Sequence, residues 1–193
     1  MYTNFPGLKV VYPSNPQDAY GLLKASILDD NPVVFFESEQ MYGLKGEVTD
    51  DTQFLLPLGK ANVRQTGEDI TLICHGKMVH LAHQAADLLQ KEGVSAEIID
   101  LRTLKPLDLD TLVDSIKKTH RCVVVDESHP YGSIASEIGF LLQREAFDYL
   151  DAPIGRIGLP DINAPFSLEL YNAWFPSVEQ IVKMAKEICY INK

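Results

Sequence analysis

The chain has 193 residues, long for one domain and short for two full ones. A formal net charge of −10 argues against a nucleic-acid partner, whose phosphates need Lys and Arg patches, and suits either a solvated surface or a basic partner. The 46% apolar content is that of a folded globular protein, and the longest apolar runs, CVVV and VVFF, are far too short to cross a bilayer.

The N-terminal segment predicts one strand–helix–strand unit. Residues 8–12 read as a strand, 16–28 as a helix and 33–37 as a buried strand. Pro16 suits a first helical turn, where its missing N–H would have had no partner. Asn31 precedes Pro32 and so avoids the α region, which stops the helix. Such a unit is expected to be parallel with a right-handed crossover. It cannot cover both faces of a sheet alone, so it reads as a piece of a larger domain. Residues 43–57, polar at their centre, read as a linker.

The remainder alternates strands and helices. Residues 60–64 and 70–74 flank a turn at Gly67 and predict an antiparallel pair. A helix is predicted over 77–91, with Leu81, Ala85 and Leu88 on one face and Gly93 as its stop. A strand over 96–101 follows, then a helix to about residue 117 capped by Asp108. Next come a strand at 122–126, a helix at 133–144, a short strand at 154–157 and a closing helix at 178–188. This order predicts an α/β three-layer sandwich with a mostly parallel sheet. Cys74, Cys122 and Cys189 are odd in number and form no CxxC pair, so free thiols in a reducing cytoplasm are expected. The first residues lack the basic start and apolar core of a signal peptide.

Three runs release polar residues at the carboxyl ends of strands: ITLICHG, IIDLRTLKPLD and VVVDESHPYGS. In open α/β sheets that edge meets ligands and partners. His75, Arg102, Glu127 and His129 all follow such ends, and a His with a carboxylate suggests acid/base work. No nucleophile elbow, phosphate-binding Gly-rich loop or HExxH motif accompanies them. A structural or interface role is therefore expected, with Glu127 and Arg102 as an ion pair tying two loops. His80 and His83 stand at helical i, i+3 spacing without a third ligand and read as an exposed helix face. Ser26, Ile27, Asp29 and Asn31 sit at a helix end whose carbonyls point outward, an arrangement able to hold a hard cation. Ala173-Trp174-Phe175-Pro176 offers aromatics for an interface or for packing on the domain body.

These segments in order resemble the beta subunit of the first component of pyruvate dehydrogenase and related 2-oxoacid dehydrogenases. The resemblance rests on FPGLKVVYPSNPQDAYGLL, NPVVFFESEQMYGLKGEV, DLRTLKPLDLDTL with IKKTHR, VVVDESHPYGSIASEI and FDYLDAPIGRIGLPD, and runs essentially end to end. MYGLKGEV is closer to the pyruvate than to the branched-chain branch. The resemblance implies that residues 1–57 are the tail of a pyrimidine-binding domain plus linker, and 58–193 a transketolase C-terminal domain. It also implies that the thiamine-activating glutamate and the active-site histidine lie upstream of PGLKVV. The chain is then expected neither to bind thiamine diphosphate with magnesium nor to catalyse alone, and to serve assembly and docking.

By the same resemblance, Ser26, Ile27, Asp29 and Asn31 match a structural potassium site, mostly through backbone oxygens. The partners implied are the alpha subunit, a second beta subunit and the basic subunit-binding domain of the dihydrolipoyl acyltransferase. Two departures stand out. Relatives' D-x-P-x-P-Y loop here reads Asp161-Ile162-Asn163-Ala164-Pro165-Phe166, and His129 occupies the place of a frequent Trp. Two rival readings are an autonomous interaction module and a flavodoxin-like ligand-binding domain. The second would need a Gly-rich first loop, where CHGKMVH supplies one Gly.

Overall fold

The computed structural model describes residues 1–191. Its first unit is β1 (Lys9–Val11), α1 (Pro16–Ile27) and β2 (Val33–Phe35). Asn15 caps α1 by accepting from Asp18 N–H at 3.0 Å, and Pro16 opens the helix as the sequence indicates. β1 and β2 pair in parallel, as expected of the crossover.

The second unit contains β3 (Asn62–Gln65), β4 (Ile70–Cys74), α2 (Met78–Lys91), β5 (Ala96–Asp100), β6 (Thr103–Lys105), α3 (Leu109–Thr119), β7 (Cys122–Val125), α4 (Ile134–Glu145), β8 (Gly155–Ile157), α5 (Leu168–Trp174) and α6 (Val178–Ile188). Five of these strands form one sheet in the order β3-β5-β4-β7-β8, parallel except for β3. Strand residues alternate between two apolar layers. Leu72, Cys74, Ile98, Val123 and Val125 face α2 and α6. Ile73, Ile99, Cys122 and Val124 face α3 and α4. This is the predicted three-layer sandwich.

Four expectations need correction. β3 pairs antiparallel with β5, not with β4. Its partner is reached across the intervening α2, whereas the short turn at Gly67 suggested a local hairpin. The buried face of α2 is Met78, Val79, Ala82, Ala85, Ala86 and Leu89, while Leu88 is 40% exposed. Small alanines let the helix approach the sheet closely, so the stripe follows them rather than the leucines. Asp108 stands at the start of α3 but bonds no helix N–H. Its carboxylate accepts instead from Ala61 N–H at 3.0 Å and Thr111 Oγ1–H at 2.9 Å, tying the approach to β3 onto α3. These bonds hold the carboxyl below its ordinary range, against a burial that would raise it.

The fourth is β6, which sequence reading missed. It joins β1 antiparallel, giving a three-stranded sheet β2-β1-β6. A strand of the second unit thereby completes the sheet of the first. Residues 49–56, expected as a linker, lie along α1. Gln17 Oε1 accepts from Thr49 N–H at 2.8 Å, and the Tyr20 and Phe54 rings stack at 6.3 Å. A Cβ on Gly21 would stand 2.6 Å from the Phe54 ring and 2.8 Å from Leu56, so any larger residue there must push these strap side chains outward.

Candidate functional site

The carboxyl ends of β4 and β7 meet the exit of β1 at a cleft of about 420 Å³, lined among others by Tyr12, Phe36, His75, Asp126, Glu127 and His129. β4 delivers His75 and then Gly76, whose φ of +52° lies in the left-handed region. Tyr12 fills the slot over that glycine, where an added Cβ would stand 2.5 Å from its ring. The Tyr12 and His75 rings are 5.4 Å apart, and the Tyr12 hydroxyl donates to Glu127. Burial first, then the Glu127 carboxylate, pushes the Tyr12 phenol well above its ordinary value. Glu127 also pairs with Lys77 Nζ at 3.0 Å, and Lys77 lies 3.9 Å from the centre of the Phe175 ring.

Beneath them His75 Nε2 is 3.2 Å from Asp126 Oδ1, and Ser128 donates to the other oxygen of Asp126. Burial pulls the imidazole pKa down, but the bond and charge of Asp126, with Glu127 and Asp100, outweigh it and raise the value. Asp126 is held below its ordinary range, because His75, Ser128 and the Ala135 N–H overcome its own burial. His75 Nδ1 is buried without a hydrogen-bond partner.

The expected convergence is thus partial. His75, Glu127 and His129 share the cleft, but Arg102 does not, and the predicted Arg102–Glu127 ion pair is absent. Arg102 instead makes a two-pronged pair with Asp18 of α1, Nε at 2.8 Å and a terminal nitrogen at 2.7 Å. The reason is its backbone. A φ of +57° turns Arg102 away from the β7 end and toward α1. Its N–H donates to Asp100 Oδ1 at 3.1 Å, and Ser14 donates to the other Asp100 oxygen. Sequence reasoning missed Tyr12, Lys77, Asp126 and Asp18. Tyr12 and Asp126 carry the same strand-end signal that found His75, whereas Asp18 looked like an ordinary first-turn acid.

His129 Nδ1 lies 2.9 Å from Pro160 O and its ring meets Trp174 edge-on at 6.1 Å, so it anchors the Pro-rich loop. Trp174 in turn donates to Ile162 O at 3.1 Å, which places its indole against its own domain. His80 is half-buried, with Nε2 2.8 Å from Ser14 O, and is not the solvated face expected. Among the described residues no three His, Cys, Asp or Glu side chains form a metal-binding group.

At the α1 end, Ser26 Oγ donates back to Leu22 O at 2.7 Å and Ile27 is exposed. The Asp29 carboxylate pairs with Lys9 and accepts from Asn31 N–H at 2.9 Å, which lowers its pKa to about 2. Its charge is thus answered by an ammonium, and the outward carbonyls remain as the oxygen donors of this turn.

Chemically, the cleft holds two carboxylates whose partners are all within the protein. Ser128 bonds Asp126 rather than the imidazole, so no activated nucleophile is assembled. A floor of two carboxylates, Asp126 and Glu127, repels the like charge of a diphosphate. What the geometry does is clamp the first unit onto the second.

The profile of the transketolase C-terminal domain matches residues 59–181, and that of the transketolase pyrimidine-binding domain matches residues 1–45. The chain belongs to the transketolase C-terminal domain family. This transketolase-family chain is 46% identical over 193 residues to the pyruvate dehydrogenase E1 component subunit beta-2 of Oryza sativa subsp. japonica, covering 98% of the chain and 51% of that protein. It is 46% identical to the E1 component subunit beta of Rhizobium meliloti, with 98% and 41% covered. It is 45% identical to the acetoin:2,6-dichlorophenolindophenol oxidoreductase subunit beta of Bacillus subtilis, with 97% and 55% covered. The chain spans about half the length of the curated relatives it matches. Its fold also matches a solved split gene transketolase, an inactive beta4 tetramer, with a TM-score of 0.82 at 23% identity over 100% of this chain and 60% of that one.

Proposed function

We propose that this chain supplies the C-terminal portion of a beta subunit in the first component of pyruvate dehydrogenase. The assembled enzyme would use thiamine diphosphate with magnesium to decarboxylate pyruvate and pass the acetyl group to a lipoyl carrier. This portion contributes assembly and docking, not the reacting groups. One observation carries the reading: 46% identity to E1 beta subunits over 98% of the chain. The self-satisfied cleft supports the non-catalytic role, since its carboxylates are engaged by Lys77, Tyr12, His75 and Ser128.

The partners on this reading are the alpha subunit, a second beta subunit and the basic subunit-binding domain of the acyltransferase. The net charge of −10 favours the last of these. A potassium ion at Ser26, Ile27, Asp29 and Asn31 belongs to the same proposal, held chiefly by backbone oxygens. Three free thiols suit a reducing compartment such as the cytoplasm. Co-purification with a pyruvate dehydrogenase alpha subunit tests the assignment. Stable association is expected. Capture of the basic acyltransferase domain without any alpha-subunit binding would favour an autonomous interaction module instead. The acetoin-type relative sets a second substrate to compare, and the assembled enzyme is expected to prefer pyruvate to acetoin.

A further inference from the structure

The segment between β8 and α6 is attached to the body differently from the rest of the chain. Leu159 and Pro176 are buried, and none of residues 160–175 between them is. Ile162, Phe166, Leu168 and Leu170 stand exposed along it. Among the described residues, the backbone bonds of residues 161–175 stay inside the segment. Ile162 N–H donates to Pro160 O at 2.8 Å, Tyr171 N–H to Ser167 O at 2.8 Å and Phe175 N–H to Tyr171 O at 2.9 Å. What holds the segment down is therefore a small set of side chains. A region with so little buried surface opens at a lower free energy than the core.

At its C-terminal end those side chains converge on one ammonium. Lys77, the residue before α2, is largely buried. Its Nζ donates to Glu127 Oε2 at 3.0 Å and to Gln40 Oε1 at 3.1 Å, and lies 3.9 Å from the centre of the Phe175 ring. A lysine has three N–H bonds to offer, and here each has a taker. The takers come from three places: Glu127 from the end of β7, Gln40 from the first unit and Phe175 from the segment. Gln40 also donates from Nε2 to the Tyr171 hydroxyl at 3.2 Å, and Tyr171 stacks on Phe175 at 5.6 Å. Trp174 completes the cluster, 5.7 Å from Tyr171 and 6.5 Å from Phe175. Between the segment and the first unit lies a cavity of about 590 Å³, lined among others by Met41, Leu44, Met78, Leu81, Tyr171 and Phe175.

We propose that residues 160–175 form a strap latched by Lys77. With the ammonium seated among Glu127, Gln40 and the Phe175 ring, the strap closes one wall of this cavity. When that seat is lost, the strap opens about its buried ends, Leu159 and Pro176, while the sandwich stays folded. Two features distinguish a latch from ordinary packing. The contacts meet at a single charge, so one change releases them together. The same charge answers Glu127, which also accepts from the Tyr12 hydroxyl, so the strap is coupled to the junction of the two units.

The test is hydrogen exchange of the full chain, read by mass spectrometry, together with the emission of Trp174, its only tryptophan. Lys77→Met keeps the aliphatic stem and removes the charge. It is expected to speed exchange over residues 168–175 by about tenfold and to shift the Trp174 emission to the red, while β4, β5 and β7 keep their protection. Because that variant also leaves Glu127 without its counter-ion, Phe175→Leu serves as a second arm. It removes only the ring beneath the ammonium and leaves every charge paired, and exchange over the same residues is expected to rise about threefold. In the double variant the rise is expected to fall short of the product of the two, since both changes break one contact. Unchanged exchange over residues 168–175 with unchanged emission in both single variants would overturn the latch. So would a rise that spreads evenly through β4, β5 and β7, which is a loss of stability in the whole fold rather than release of the strap.

Discussion

At the scale of single residues, charge placement at the junction sets the strongest expectations. The Asp18 carboxylate is buried, and Arg102 is its counter-ion through two parallel bonds. Removing one member of such a pair leaves an uncompensated charge, so Arg102→Ala should lose about 3 kcal/mol in urea unfolding. Arg102→Lys should recover little of it, because a single ammonium cannot reproduce the fork. The His75–Asp126 pair makes stability depend on pH. His75 titrates above its ordinary 6.5 when folded, so its contribution is full below that value and lost as pH rises through the folded one. Asp126 titrates below 3.8, so its contribution is present above that value and lost as pH falls through the folded one. The wild type should therefore lose its advantage over His75→Gln across the interval that opens at pH 6.5 and runs upward through the raised folded value. A difference in melting temperature that stays flat across that interval would contradict the assignment.

At the scale of elements, the two units are held by how strands end. Tyr12 at the end of β1 occupies a slot that exists because Gly76 has no side chain. Gly76→Ala would place a Cβ against that ring at a left-handed φ, so it should destabilise by about 1–3 kcal/mol. Its clearest sign should be faster proteolytic release of the first unit. At the far end, α6 begins with a reciprocal cap between Ser177 and Gln180, and Ser177→Ala should cost about 1 kcal/mol in the same unfolding assay.

Elements with strong periodicity and caps were legible in the sequence: α6 spans the predicted 178–188, and α1, β4 and β7 lie within a residue or two of expectation. β6 was not, because three residues between a left-handed Arg102 and Pro106 carry no period, and their pairing with β1 spans most of the chain. The antiparallel place of β3 was misread for a related reason: strand pairing is decided by packing across the sheet, which a local turn signal does not report. α5, among prolines and aromatics, shows no buried face. At the site, the strand-end rule found His75, Glu127 and His129. It missed Asp18, because a first-turn acid looks the same whether it meets water or an arginine.

At the scale of the whole molecule, the chain is a five-stranded α/β sandwich whose sixth strand of the region, β6, is lent to the neighbouring unit. That exchange, the Tyr12 slot and the Arg102–Asp18 fork make the front unit and the sandwich one body. In the cleft both carboxylates, Asp126 and Glu127, have partners within the protein. On the function proposed above, the residues described here should not turn over pyruvate without a complete pyrimidine-binding domain and an alpha subunit. The direct measurement is pyruvate-dependent release of carbon dioxide with thiamine diphosphate and magnesium present. The chain alone is expected to give none, and a beta subunit that carries this sequence behind a complete pyrimidine-binding domain is expected to turn over with an alpha subunit. Turnover by the isolated chain would contradict the account.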